Sequence, residues 1–220
     1  MPALFVAGTG TDVGKTYVTA ALLRALVGAG RAVNALKPVV SGFDEAAPAG
    51  SDPAVLLQAL GRPVTPEMLD RISPWRYAAP LAPNQAAALE GRSVDAEAVI
   101  AFCRSGIDAE ANTLTFVESA GGIMSPLDDR LTMLDLARAL DAPVLLVAGA
   151  YLGTISHTLT AVQVIRAAGL DLRAVIVNED GPGPGLKQAA NEIASRLPGV
   201  PVGSLARDAD GAALAAYLGI

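Results

Sequence analysis

Gly8-Thr9-Gly10-Thr11-Asp12-Val13-Gly14-Lys15-Thr16 follows the apolar run Ala3-Leu4-Phe5-Val6-Ala7 and precedes a helical pattern over 18–27. Strand, glycine-containing loop, Gly-Lys-Thr and helix, in that order, are the context of a phosphate-cradling P-loop. Backbone N–H groups of such a loop and of the helix N-terminus converge on one spot and hold phosphate oxygens. Lys15 would then reach the outer phosphates, and Thr16 would offer its hydroxyl to Mg²⁺. The loop is a variant, because Thr9 stands where the general motif has its first glycine.

Outward from this loop, strand signals alternate with helix signals. Apolar runs predict strands at 3–8, 33–37, 113–118, 144–148, 174–178 and 200–203. Helical patterns fill 15–27, 52–60, 85–89, 95–104, 133–140, 155–168, 185–197 and 211–218. Such alternation predicts an α/β fold with one P-loop domain over 1–220. Its sheet is expected to be mostly parallel and doubly wound, with helices on both faces. Val144-Leu145-Leu146-Val147 is apolar on both faces, as a central parallel strand must be. The Pro- and Gly-rich stretches 41–50 and 73–83 are expected to be active-site loops rather than domain boundaries.

Composition narrows the function. The chain has 220 residues, 52% hydrophobic but only 4% aromatic, so its core must be built from Ala, Val, Leu and Ile. A net charge of −6 without a basic cluster argues against a nucleic-acid partner. The single cysteine, Cys103, permits no intrachain disulfide and is expected to be packing on a helix, which suits a reducing cytoplasm. No apolar run is long enough to span a membrane, and no basic signal region precedes the first strand. The lone histidine, His157, excludes a multi-histidine metal site and is expected on a helix or an interface.

In a doubly wound sheet, ligands bind beyond the C-terminal ends of the strands. Those ends carry the P-loop, then Lys37-Pro38-Val39-Val40-Ser41-Gly42, Glu118-Ser119-Ala120-Gly121-Gly122, Gly149-Ala150-Tyr151-Leu152-Gly153-Thr154 and Asn178-Glu179-Asp180. Mg²⁺ bound to a nucleotide wants a hydroxyl, one or two carboxylates and phosphate oxygens. Thr16 is the hydroxyl and Glu118 the first carboxylate; Asp52 is a second candidate, with a helix N-cap before Pro53 as its other reading. Lys37, ending a buried strand, needs an anion, which a phosphate or a substrate carboxylate would supply. Ser41 could bond a substrate or simply complete a turn.

The stretches GTGTDVGKT, LKPVVSG, Ser51-Asp52, APLAPN, VESAGG with Pro126-Leu127, LGTISHT and VNED occur in this order. Over residues from about 3 to 205 the chain resembles dethiobiotin synthetase, the ATP-dependent carboxylase of biotin synthesis. The resemblance implies an ATP- and Mg²⁺-dependent cyclo-ligase. Asp12, Val13, Gly14, Lys15, Thr16 and Tyr17 would wrap the ATP phosphates. Thr16, Asp52 and Glu118 would hold Mg²⁺. Lys37 and Lys15 would be catalytic. Ser119, Ala120, Gly121, Asn178, Glu179, Ala206 and Arg207 would border the nucleotide, with Asn178 at the adenine. Ser41, Pro80, Leu81 and Pro83 would contact the substrate. So would the turn Leu152-Gly153-Thr154-Ile155, which comes from the other subunit in that family and so implies a homodimer completing its sites across the interface.

The reaction so implied joins 7,8-diaminopelargonic acid and CO₂ or bicarbonate into dethiobiotin. It passes through a carbamate and a carbamic–phosphoric anhydride and releases ADP and phosphate. Three departures mark this chain. Ser119 replaces a usual glycine and is expected to restrict φ and crowd the nucleotide. Asn84 and Ser156 replace a usual histidine and asparagine. The runner-up is a partner-regulated P-loop switch ATPase of the same fold; its second loop lysine would fall at Gly10, where there is none.

Overall fold

A computed structural model describes residues 3–109, 112–179, 185–207, 209 and 211–219. Asp180, the last residue of the VNED stretch, lies outside them. Six strands form the main sheet: β1 (Ala3–Gly8), β2 (Val33–Leu36), β5 (Leu114–Gly122), β6 (Val144–Gly149), β7 (Leu172–Asn178) and β8 (Val202–Leu205). Their order is β2-β5-β1-β6-β7-β8, and every adjacent pair is parallel. β1 sits between β5 and β6, and all six of its residues are buried, as are all six of β6. That double-sided burial is why both read as uninterrupted apolar runs.

The helices are α1 (Lys15–Gly28), α2 (Asp52–Ala59), α3 (Pro66–Ile72), α4 (Pro83–Leu89), α5 (Ala96–Asp108), α6 (Met133–Leu140), α7 (Thr154–Ala167), α8 (Leu186–Arg196) and α9 (Ala212–Leu218). They cover both faces of the sheet. α1 packs on α2 and α9, α5 on α6, and α7 on α8. Cys103 is fully buried on α5, and burial pushes its thiol up to about 12, so it packs as a small apolar side chain. Among the described residues no helix is long and apolar enough to cross a membrane.

Two features differ from the sequence reading. Val39–Ser41 (β3), not expected as a strand, and Trp75–Tyr77 (β4), inside the stretch 73–83 expected to be a loop, pair in parallel as a separate small sheet. α3 lies between them in sequence and was also not expected. Three-residue strands are too short to show a period, and their pairing partners lie over thirty positions apart. The small sheet matters because β3 follows Lys37 and carries Val40 and Ser41 toward the P-loop.

Candidate active site

The C-terminal ends of β1, β2 and β5 bring their polar residues together. β1 passes into the P-loop, and Gly14 caps α1 in the left-handed region at φ 84°. A side chain at Gly14 would also collide with the Asn178 amide, so this position takes glycine on two grounds. Lys15 Nζ reaches back to the Gly10 carbonyl at 3.4 Å. Burial and the nearby Lys37 charge push the Lys15 ammonium down to about 8. On β5, Glu118 stands in register with Val6 of β1 and is 0% exposed.

Lys37 follows β2 and is 2% exposed. Its Nζ donates to Glu118 Oε1 at 2.8 Å and to the Ser119 carbonyl at 3.0 Å, and lies 3.1 Å from Asp52 Oδ2. Thr16 Oγ1 donates to the same Glu118 oxygen at 2.6 Å. Burial opposes the Lys37 charge, but Glu118 and Asp52 outweigh it and hold the ammonium above its ordinary range. Burial likewise opposes ionised Asp52, yet Lys37, the Thr16 hydroxyl and Lys15 bring its carboxyl below its ordinary value. The anion that a buried lysine requires is therefore supplied by the chain's own carboxylates, where the sequence had suggested phosphate or substrate.

Asp52 reaches the site because α2 begins there. The helix cap is its neighbour Ser51, whose Oγ accepts from Ala54 N at 3.4 Å. Asp52 occupies the first turn, where the helix dipole favours a carboxylate, and keeps 45% of its side-chain area exposed.

These groups open onto a cleft of about 690 Å³. Thr11, Asp12, Gly14, Lys15, Thr16, Lys37 and Asp52 make its polar side; Val40, Pro80, Leu81, Ala82 and Pro83 make an apolar one. Ser41, Ala120, Gly121 and Ser125 complete the lining. Its size suits a small ligand, for which pockets run to roughly 300–1,000 Å³. Buried Ser41 Oγ has no hydrogen-bond partner. Thr11, Val40 and Ser125 were assigned no contact from the sequence. Ser125 could have been found only through Gly121, whose φ of 68° bends the chain so that Ser125 Oγ accepts from Gly122 N at 2.8 Å.

Ser119 departs from expectation. It is not among the described non-glycine residues at positive φ, which are Asp12, Asn112 and Asp141. Its side chain is buried, with Oγ turned onto the Gly121 carbonyl at 3.3 Å, so the backbone carries no strain at 119. Asn84 donates to Asp129 Oδ1 at 3.3 Å.

The remaining candidates are placed more loosely. Val13 is buried, and its carbonyl accepts from Asn178 Nδ2 at 3.3 Å. Asn178 Oδ1 is buried without a partner, an acceptor left over beside the P-loop. Tyr17 lies in the first turn of α1. Glu179 accepts from Arg207 N at 2.8 Å, which ties the 179 and 206–207 segments together. Leu152, Gly153, Thr154 and Ile155 do not line the cleft. Leu152 is 91% exposed at the turn into α7, where Tyr151 Oη bonds His157 Nδ1 at 2.8 Å.

Hard oxygens suit a divalent ion here. Glu118 Oε2 is buried with no partner, and Thr16 and Asp52 contact or flank the same lysine–carboxylate pair. Among the described residues no three His, Cys, Asp or Glu side chains cluster as a closed metal site. A hydroxyl and two carboxylates leave coordination positions for phosphate oxygens, which is how Mg²⁺ is bound with nucleotides.

Comparison with known proteins agrees with this architecture. A family model described as AAA domain matches residues 2–207. Signal recognition particle receptor FtsY from Elizabethkingia anophelis superposes with a TM-score of 0.52 at 19% identity, over 91% of this chain and 56% of that one. Chloroplast FtsY from Physcomitrella patens gives 0.55 at 17%, again over 91% and 56%. At such identities the likeness speaks to the fold alone. Sequence relatives are nearer. A Caulobacter vibrioides protein named ATP-dependent dethiobiotin synthetase BioD is 54% identical over 86% of this chain and 84% of its own length. Its namesake from Methylobacterium nodulans is 49% identical over 94% of both chains. Another from Anaeromyxobacter dehalogenans is 41% identical over 100% of this chain and 96% of its own. With identity this high across nearly the whole chain, and with the P-loop and the residues at the strand ends gathered round one cleft, the chain belongs to the ATP-dependent dethiobiotin synthetase family.

Proposed function

We propose that this chain catalyses ATP-dependent closure of the cyclic urea of dethiobiotin from 7,8-diaminopelargonic acid and CO₂. The observation that carries the proposal is the joining of two lysines and two carboxylates to a P-loop at the head of a cleft with an apolar wall. The diamine's aliphatic chain lies along Val40, Pro80, Leu81 and Pro83, with Ser41 as the polar contact. One amine takes up CO₂ and loses a proton to give a carbamate. A carbamate oxygen attacks the γ-phosphorus and ADP leaves. The second amine attacks the carbamoyl carbon, the ring closes, and phosphate departs with the carbamate oxygen.

This chemistry needs positioning and cancellation of negative charge more than a protein nucleophile. Lys15 holds the phosphates, and Lys37 faces the carbamate oxygen and γ-phosphate, where charge accumulates. Thr16, Asp52 and Glu118 would hold Mg²⁺, which would supply further neutralisation of phosphate charge. Asn178, with its unpartnered Oδ1, meets the adenine amino group, and Glu179, Ala206 and Arg207 flank the base. We assign the catalytic unit to 1–220 as one domain working in the cytoplasm, where the free thiol of Cys103 stays reduced.

The deciding assay is phosphate release with ATP, Mg²⁺ and bicarbonate, with and without the diamine, read together with dethiobiotin by mass. Diamine-dependent release matched by dethiobiotin is the expected result. Hydrolysis indifferent to the diamine, with no dethiobiotin, would move the assignment to a switch ATPase.

The turn Leu152–Ile155 supports a homodimer, since it lies outside its own chain's cleft and exposes Leu152 to a partner. In such a dimer the α7 N-terminus of one subunit offers N–H groups to the substrate carboxylate in the other. Gly153, at φ 99°, does not tolerate a β-branched residue without rearranging this turn. Mixing two inactive variants, Lys37→Ala and Gly153→Val, should therefore restore roughly a quarter of native turnover, as a two-fold dimer with shared sites requires. No recovery on mixing would mean that each chain completes its own site.

A further inference from the structure

Lys37 already sits as a cation among the oxygens that suit a divalent ion. Its Nζ is 2.8 Å from Glu118 Oε1 and 3.1 Å from Asp52 Oδ2, and Thr16 Oγ1 donates to that same Glu118 oxygen at 2.6 Å. Glu118 is fully buried, and its other oxygen has no partner, so the ammonium is its principal source of neutralisation. A divalent ion ligated by Glu118 Oε1 would stand at about 2.0–2.1 Å from it. Ammonium and ion would then share one oxygen in a desolvated place, where repulsion between like charges is weakly screened.

We propose that the Lys37 ammonium is the resident cation of the Thr16–Asp52–Glu118 seat in the nucleotide-free chain, so that a divalent ion takes the seat only by displacing it into the cleft. The inference rests on these three side chains being the metal-holding set. It gives metal binding a direction. Without nucleotide, the displaced lysine has no new anion to meet and the ion has few further ligands, so a divalent ion takes the seat weakly and displaces the lysine only near saturation. Phosphate oxygens supply both needs at once: ligands for the ion and an anionic partner for Lys37. Metal and nucleotide then favour each other's binding by the same factor. The lysine moves from structural neutraliser to a group facing the reacting oxygens only when the site is loaded.

Mn²⁺ alone is the probe, with free ion counted by electron paramagnetic resonance in the absence of nucleotide. Three full-length chains are compared: unmodified, Lys37→Met and Lys15→Met. Lys15 feels the same carboxylates, while its Nζ bonds the Gly10 carbonyl, so its removal controls for loss of nearby positive charge. Lys37→Met should bind Mn²⁺ at least about tenfold more tightly than the unmodified chain, and Lys15→Met within about threefold of it, the spread typical of a coupling against a background effect. Equal or weaker binding by Lys37→Met, or an equal gain in Lys15→Met, overturns the exchange.

Should Lys37→Met not fold, amine acetylation of the unmodified chain decides, read by mass. Saturating Mn²⁺ should raise labelling of Lys37 and leave Lys187 on α8 unchanged; labelling of Lys37 indifferent to Mn²⁺ overturns the proposal. The two readings fail separately: exchange without dethiobiotin formation would sink the reaction, and dethiobiotin formation without exchange would sink this inference alone.

Discussion

Lys37→Ala is expected to lower turnover by about 100- to 1,000-fold, the range seen when one donor aimed at developing charge is removed from a catalytic site. Nucleotide affinity should change little. Lys37 bonds Glu118, Asp52 and the Ser119 carbonyl, and Lys15 still contacts the loop through Gly10. The loss should fall on kcat for diamine-dependent phosphate release, with ATP binding followed by calorimetry as the control. Near-native turnover in Lys37→Ala would remove the lysine from the reaction. Loss of ATP binding in parallel would make it a phosphate-binding residue instead. The truncation also leaves Glu118 without its ammonium, so the variant's melting temperature must be measured beside its rate. Lys37→Arg does not restore activity on this account. A planar fork cannot take three partners, Glu118, Asp52 and the Ser119 carbonyl, from one point as an ammonium does.

The second large effect is expected at Glu118. Glu118→Ala leaves a fully buried lysine with Asp52, which is partly exposed, as its remaining carboxylate. Breaking one side of a buried pair costs about 3–5 kcal/mol. Asp52 and the Ser119 carbonyl retain part of that, and thermal unfolding should still show a clear drop in melting temperature. Mg²⁺-dependent turnover should also fall by about 100-fold or more, and raising Mg²⁺ should not recover it, because a charged ligand has gone from the transition-state site. Glu118→Gln separates the two roles. It keeps the shape of the core and an acceptor for Thr16, so it should be the more stable variant while remaining as poorly active as alanine. Full activity of either variant without added Mg²⁺ would show that Glu118 holds no metal. A native melting temperature in Glu118→Ala would mean that the ion pair to Lys37 contributes nothing to the folded state.

Both experiments bear on a site whose parts were unequally visible in the chain. β1, the P-loop and α1 could be read locally, because strand burial, the Gly14 turn and the helix start are adjacent in sequence and each leaves its own mark. The mostly parallel sheet was legible as a class, since alternating apolar runs and helices admit few parallel arrangements, whereas its strand order came only with the fold. Lys37 and Glu118 stood out for one reason: each is a charged residue at the end of an apolar strand, where burial demands a partner. What they demanded was visible; which group answered was not. Lys37 meets Glu118, 81 positions away, and Asp52, which the start of α2, capped by Ser51, brings within 3.1 Å. Ser119 illustrates the same limit from the other side. A serine for a glycine reads as strain until the backbone shows that the left-handed residue is Gly121, two positions on.

The sequence by itself determined the phosphate loop, the α/β class and the list of charged residues that a buried strand end cannot leave alone. These follow from local conformational preference and the cost of burying charge, both properties of a residue and its neighbours. Only the tertiary structure decided that β3 and β4 pair to carry Val40 and Ser41 into the cleft. It also decided that Leu152–Ile155 stands clear of that cleft, and that one ammonium sits among Thr16, Asp52 and Glu118. Those are matters of distance between segments remote in the chain, and distance is fixed by how the sheet and helices pack rather than by any residue alone.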